Sequence, residues 1–181
     1  MWTDDFSDSI IDSNRWGTYV ELPNTLVEEN GYIRMTEVQD ATAAAFFNFQ
    51  DPITGPFDIS FKHRFNALEG EVCTFLNDPP RTAESAKDYD GICTTAEGEF
   101  RLRIVGESDV ILKKGININT WYTFRIKRIG SVHTIYIDGE KVWEGGLYDS
   151  NHINMQFGDS YTALSKVGYT SDYDEFRVES S

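Results

Sequence analysis

Arginines and large aromatic side chains occur together in three segments of this sequence whose residues alternate between polar and apolar. The candidate residues are Arg101 and Arg103 in "FRLRI", Trp121 and Arg125 in "WYTFRIK", and Tyr136 and Trp143 in "TIYIDGEKVWEG". A planar ring can stack on the face of a sugar, and guanidinium groups donate hydrogen bonds to hydroxyls and carboxylates. The combination predicts a groove that binds carbohydrate.

The turn in "TIYIDGEKVWEG" decides which way two of these rings point. The dipeptide Asp138-Gly139 favours a two-residue hairpin loop of the primed type. This loop predicts four cross-strand pairs: Ile137 with Glu140, Tyr136 with Lys141, Ile135 with Val142, and Thr134 with Trp143. Tyr136 and Trp143 would then share the outer face of the hairpin, diagonal to one another. The alternative is that outward cations only prevent edge pairing and that the tryptophan is covered by a terminal segment.

The elements that must position these residues are strands, because alternation with a period of two recurs along the chain. In "FDISFKHRF" the apolar residues Phe57, Ile59, Phe61 and Phe65 share one face, and His63 falls on that face as a core histidine. Trp16 is expected to pack in the interior. The pattern predicts an all-β sandwich or barrel with roughly ten or more strands, and no linker divides residues 1–181.

The charge of the chain excludes several classes of partner. Thirty acidic residues against sixteen basic ones give a net charge of −14. This sign disfavours attraction to nucleic acid and to an anionic membrane surface, and an acidic ligand would need a local cationic patch. No stretch approaches the ~20 apolar residues that cross a bilayer. We therefore expect no nucleic-acid partner and no membrane insertion.

Cys73 and Cys93 flank a segment without a strand pattern, residues 77–91. Their spacing leaves two alternatives open, a disulfide or a pair of small buried thiols, and an extracellular setting would favour the disulfide. The segment between them carries Asp78, Asp88, Tyr89 and Asp90. These residues suit a metal or a sugar, with Tyr89 as a further carbohydrate-binding candidate, or they form a solvated acidic loop.

Three segments resemble the concanavalin A-like lectin/glucanase superfamily, especially its laminin-G-like members. They are "DDFSDSIIDSNRWG" near the start, "NTWYTFRIKRIGSVHTIYIDGEKVWEG" in the middle and "YDEFRVES" at the end. The resemblance implies a jelly roll, a sandwich of two antiparallel sheets, and a ligand site on the concave sheet. It also implies a protein that binds or cleaves polysaccharides. We expect an extracellular location or a cell or virion surface.

The same resemblance implies a metal site between the two ends of the chain. The first and last strands of this fold usually lie side by side, which would bring Asp5 near Asp174. Similar sandwiches hold a structural calcium through such carboxylates and backbone carbonyls, in keeping with the oxygen ligands that calcium requires. The alternative is that both residues are ordinary surface acids.

The glucanases of this superfamily carry a Glu-x-Asp-x-x-Glu strand motif that supplies the two carboxylates of retaining hydrolysis. This sequence has no such triple, although carboxylates from distant strands could still converge. Our first hypothesis is a non-catalytic, lectin-like module that binds a polysaccharide on the outer face of one sheet. The second is a glycoside hydrolase or polysaccharide lyase on the same scaffold, and the third is a surface or virion adhesion domain that contacts protein.

Overall fold

The strands of this protein form two large antiparallel sheets and one small sheet. The computed structural model describes residues 1–37, 45–51, 53–68, 72–76, 90–147, 152–153, 155–159 and 168–180. The strands are β1 (Trp2–Asp4), β2 (Trp16–Val20), β3 (Thr25–Glu29), β4 (Tyr32–Glu37), β5 (Ala45–Phe49), β6 (Ile53–Thr54), β7 (Phe57–Phe65), β8 (Val72–Phe75), β9 (Gly91–Thr94), β10 (Glu99–Arg103), β11 (Val110–Lys114), β12 (Tyr122–Ile129), β13 (Val132–Ile137), β14 (Glu140–Gly145), β15 (His152–Ile153), β16 (Gln156–Asp159) and β17 (Tyr169–Ser180). Among these described residues, no helix is long and apolar enough to span a membrane.

Each sheet combines strands that are consecutive in the sequence with strands from distant parts of the chain. Sheet A has the order β14-β13-β12-β7-β17-β4-β3, and β1 pairs with β17 beside this path. Sheet B has the order β11-β10-β9-β8-β16-β5-β2, while β6 and β15 form the small sheet. The first and last strands therefore lie side by side, with Trp2 opposite Val178 and Asp4 opposite Phe176. The fold class predicted from the sequence, an antiparallel β-sandwich, is confirmed.

The core lies between the two sheets and is rich in aromatic rings. Strand β7 alternates buried and half-buried side chains along its whole length, as its sequence predicts. Phe61 of this strand stacks on Phe124 and Phe176, at centroid distances of 5.3 Å and 5.4 Å. Trp16 is buried, as expected, and its indole nitrogen donates a hydrogen bond to Asp4 at 2.9 Å. The alternating residues thus fill one continuous interior.

The β13–β14 hairpin departs from its predicted register by one residue. Ile137 pairs with Glu140 and Tyr136 with Lys141, but a bulge follows, so that Ile135 pairs with Trp143. A bulge places an extra residue on one strand and changes the alternation beyond it. Val142 and Trp143 therefore both pack against the core. The predicted position of Trp143 on the same face as Tyr136 is wrong.

Candidate functional site

One side of sheet B faces away from the core, and we call it the B face. Phe47, Phe157, Phe100 and Leu102 belong to the core, so the residues that alternate with them point outward. The outward residues described on the paired strands are Gly17, Tyr19, Phe46, Asn48, Cys73, Gly91, Cys93, Glu99, Arg101, Arg103 and Gln156. The B face therefore carries amides, arginines and aromatic rings across six strands.

Several B-face side chains are buried although they point away from the core. The exposed fraction is 1% for Phe46, 3% for Gln156, 2% for Cys73, 3% for Cys93 and 8% for Arg103. The solvent side of a sheet in a sandwich ordinarily carries exposed polar residues. The centre of the B face is instead screened from bulk water, so hydrogen bonds made there are strong and missing ones are costly.

Gln156 is the clearest anomaly on the B face. Its side-chain nitrogen Nε2 is buried and has no hydrogen-bond partner among the residues that the structure describes. The register places Asn48 directly opposite Gln156, and the Asn48 amide donates from Nδ2 to the backbone carbonyl of Phe49 at 2.7 Å. A Cβ at Gly17 would lie 2.9 Å from Asn48 Oδ1, so a larger residue there would displace this amide. The Asn48 amide is therefore held in place by its neighbours.

Sequence reasoning did not select Gln156 or Asn48, although the signal was present. In "INMQFG" the residues Met155 and Phe157 are apolar, so alternation alone puts Gln156 on the opposite face. Amides are common on the solvent side of strands, and the sequence does not show that this one is buried. Only the packed structure identifies Gln156 as unusual.

Arg101 and Arg103, two of the predicted binding residues, lie on the B face next to its centre. Arg101 is opposite Cys93 and Arg103 is opposite Gly91. Arg101 donates from Nε to Glu99 Oε2 at 2.9 Å. This hydrogen bond is the main cause that lowers the pKa of Glu99, and Lys114 contributes to the same effect. Glu99 is thus held as a carboxylate between two cations.

A disulfide occupies the centre of the B face. Cys73 of β8 and Cys93 of β9 are directly opposed in the register, and their Cα atoms are 4.0 Å apart. The structure therefore selects the disulfide from the two alternatives that the sequence left open. It ties together the central strands on which the neighbouring amides and arginines lie.

Trp121, Arg125 and Tyr136 lie on the opposite side of the molecule, on the outward side of sheet A, which we call the A face. The Arg125 guanidinium lies 5.5 Å from the ring centroid of Tyr136. The Arg64 guanidinium lies 4.5 Å from Trp121 and 5.3 Å from Tyr32. A single groove that combines these residues with the B-face arginines is therefore wrong, because β10 and β12 belong to different sheets. Tyr89 lies outside the described residues.

Asp5 lies near enough to Asp174 for its charge to act on the Asp174 carboxyl. Burial raises the pKa of Asp174, and the negative charges of Glu175 and Asp5 raise it further. The backbone carbonyl oxygen of Asp5 lies near Gly31; a Cβ atom added to this glycine would be 4.0 Å from that oxygen. Within the described residues, no group of three His, Cys, Asp or Glu side chains is arranged for a metal. The two carboxylates fit calcium only if backbone carbonyls and water complete the six to eight oxygen ligands.

Comparison with solved structures finds the same architecture in several proteins of known structure. A structure of a sialidase matches with a TM-score of 0.74 and 14% identity, over 99% of this chain and 18% of the sialidase chain. A Bacillus licheniformis β-glucanase matches with a TM-score of 0.69 and 12% identity, over 99% of this chain and 98% of the glucanase. An alginate lyase from Zobellia galactanivorans matches with a TM-score of 0.67 and 10% identity, over 94% and 97% of the two chains.

These comparisons confirm the concanavalin A-like jelly roll that the sequence resembles. At 10–14% identity they establish the fold, and this chain spans less than a fifth of the sialidase that it matches. Neither a protein-family model nor a curated protein sequence matches the chain.

Proposed function

We propose that this protein is a non-catalytic carbohydrate-binding module that holds a glycan against the B face. The observation that carries this proposal is the buried Gln156 amide, whose Nε2 has no partner in the described part of the chain. A buried donor without an acceptor costs about 1–3 kcal/mol, and a native structure rarely retains one without a reason. A sugar hydroxyl or ring oxygen at Gln156 would supply the missing acceptor.

The surroundings of Gln156 suit a glycan chain. Asn48 lies directly opposite and adds a second amide, while Arg103 adds donors on the other side of the disulfide-bonded strands. The ring of Tyr19 stacks on Phe46 with centroids 5.1 Å apart and provides an aromatic surface at the β2 side. Sites that bind neutral ligands typically combine a few fixed polar groups with apolar surface.

The described B-face residues support binding better than catalysis. Glycoside hydrolysis uses two carboxylates, of which the general acid needs a raised pKa. Glu99 is the one carboxylate among the outward strand residues described on this face. Its pKa is lowered, chiefly by the hydrogen bond from Arg101, so it is unsuited to protonate a leaving group. The centre of the B face is occupied by the Cys73–Cys93 disulfide, which does not ionise.

A hydrolase or lyase remains the second candidate, because the structurally similar proteins are a sialidase, a β-glucanase and an alginate lyase. A panel of neutral and uronate polysaccharides distinguishes the two. Release of reducing ends indicates hydrolysis, and unsaturated products absorbing in the ultraviolet indicate elimination. Glycan binding with no product of either kind supports the non-catalytic module, whereas product formation replaces it with the enzyme.

The proposal includes a structural calcium at the junction of β1 and β17. Asp5 and Asp174 would contribute carboxylate oxygens there, and the ion would hold the N-terminal strand against the last strand. The disulfide favours an oxidising compartment, so we place the module outside the cell or on its surface.

The direct test is a glycan array probed with the wild type and with matched variants of both faces. Gln156→Met removes the B-face donor at nearly constant volume, while Tyr136→Leu changes only the A face. We expect at least one glycan to bind the wild type and Tyr136→Leu equally, and Gln156→Met about tenfold more weakly. Silence across the array, or the lack of any glycan that Gln156→Met binds more weakly than the wild type, would refute the B-face site.

A further inference from the structure

The A face carries a separate groove of about 480 Å³ on the side of the sandwich opposite the disulfide. Strand register places Tyr136, Arg125, Ser60 and Arg177 in one row across β13, β12, β7 and β17. Three inter-strand spacings separate the ends of this row, which gives a length of about 14 Å. The groove is therefore long enough for more than one small ring.

Ion pairs fix the arginines of this groove. Arg125 donates from Nε to Asp58 Oδ1 at 2.7 Å and from Nη2 to Asp58 Oδ2. The same guanidinium lies over the Tyr136 ring at 5.5 Å. Arg177 donates to Glu179 from both Nε and Nη2. Because these groups already hold each other, a ligand would bind with little further ordering of side chains.

The pairing leaves hydrogen-bonding capacity that is accessible to solvent. Nε and Nη2 of Arg125 bind Asp58, and the guanidinium has five N–H donors in total. The side chains of Arg125 and Arg177 are 49% and 58% exposed. Adjacent donors and carboxylate acceptors match the paired hydroxyls of a sugar, each of which both donates and accepts. Tyr136 adds the edge of an aromatic ring at one end of the row.

The charge of the groove selects the class of ligand. Its two guanidiniums are balanced by the two carboxylates of Asp58 and Glu179, while the whole chain carries a net charge of −14. The groove has no excess positive charge that could attract an anion to a protein of such negative net charge. It also has no excess negative charge that would concentrate cations. The complementary ligand is uncharged and rich in hydroxyls.

We infer that the A-face groove is a second binding site, which takes neutral hexose units of a glycan. This inference depends on the groove alone and does not require the B-face site. If both sites bind, the module presents two glycan contacts on opposite faces of one sandwich. Two contacts of moderate strength then join two polysaccharide chains, or bind one densely packed surface with avidity.

The groove can be tested by nuclear magnetic resonance on the intact protein. The Tyr136 ring and the Arg125 Nε–H group are followed during titration with laminarihexaose, cellohexaose, mannohexaose and hexagalacturonate. Three variants accompany the wild type: Tyr136→Leu removes the ring, Ser60→Trp fills the groove, and Gln156→Met disables the opposite face. Thermal unfolding verifies that each variant is folded.

We expect a neutral hexasaccharide to shift the groove signals of the wild type and of Gln156→Met to the same extent. Ser60→Trp should abolish the shift of the Arg125 signal, and Tyr136→Leu should weaken binding at the groove about tenfold. Groove signals that respond to no neutral sugar, or only to hexagalacturonate, would overturn the inference. Loss of the response in Gln156→Met would also overturn it, because the sugar would then act through the B face.

Discussion

Replacing Gln156 with methionine separates the stability of the unbound protein from its affinity for a glycan. The two side chains have similar length and volume, so the packing around β16 changes little. The substitution removes Nε2, which is buried and has no partner among the described residues of the unbound protein. Relief of an unsatisfied buried donor is worth about 1–3 kcal/mol. We therefore expect Gln156→Met to stabilise the unbound protein by about 1–2 kcal/mol.

That gain is measurable as a rise in Tm. A domain of this size shifts by about 2–4 °C for each kcal/mol, so the expected rise is about 2–8 °C. Glycan affinity should fall about tenfold or more, because the ligand loses a donor in a site screened from water. Stability and binding would thus change in opposite directions, as expected of a side chain retained for function.

The matched control is the same substitution at Gln50, which is exposed. Gln50→Met should change the free energy of unfolding by less than about 0.5 kcal/mol and leave binding unchanged. A fall in Tm for Gln156→Met would refute the reasoning, because it would mean that the amide makes stabilising hydrogen bonds in the unbound protein. A rise in Tm with unchanged affinity for the identified glycan would show that the orphaned donor does not contact the ligand.

Four further predictions concern the scaffold. Asp174→Asn should raise Tm in the presence of chelator, because it removes a carboxylate whose pKa is raised by burial and nearby negative charge. The same variant should lose the rise in Tm that calcium gives the wild type. A variant that still responds to calcium would contradict this site. The double variant Cys73→Ser, Cys93→Ser should lower the free energy of unfolding by about 3 kcal/mol, because the disulfide no longer restricts the unfolded chain over a sequence separation of 20. Chemical unfolding measures this loss, and a loss below about 1 kcal/mol would show that the disulfide restricts the unfolded chain little. Burial lowers the pKa of His63 from 6.5 to about 3, so folding disfavours protonation of this side chain. The contribution of neutral His63 to the free energy of unfolding is complete above pH 6.5 and falls by up to about 1.4 kcal/mol per pH unit below it. Urea unfolding between pH 7 and pH 5 should show this loss of stability, and His63→Phe should reduce it. Trp143→Ala should lower Tm and leave glycan affinity unchanged, because Trp143 packs against the core, and a selective loss of binding would contradict that placement.

The alternation of the sequence was sufficient to predict the strands and the inward residues. In β7, β12 and β13 every second side chain is buried, and most of these buried side chains are apolar. His63, Arg128 and His133 are the polar exceptions. A strand with a period of two has only two faces, so the burial of one face follows directly from the pattern. His63 follows the same rule; it is buried, stacks on Tyr173 and shares a hydrogen bond with Ser171.

Trp143 shows where alternation fails. The Asp138-Gly139 turn fixed the first two pairs of the hairpin correctly, but the bulge after Tyr136 moved Trp143 to the core side. A single extra residue exchanges the faces of everything beyond it. In the structure the Trp143 ring lies against Gly145, where a Cβ would be only 2.5 Å from it. The Trp143 ring can occupy this position because residue 145 has no side chain, and the alternation of the sequence does not predict such a contact.

The sequence by itself determined the all-β class, the inward and outward residues of the regular strands, and the candidates for sugar contacts. The tertiary structure decided which outward residues share a face. Arg101 and Arg125 are both outward, yet they lie on opposite sides of the sandwich. Strand order also placed Gln156 opposite Asn48 and left its Nε2 buried, with no partner within the described ranges. Alternation is a local property of one strand, whereas sheet membership and burial depend on contacts between distant parts of the chain.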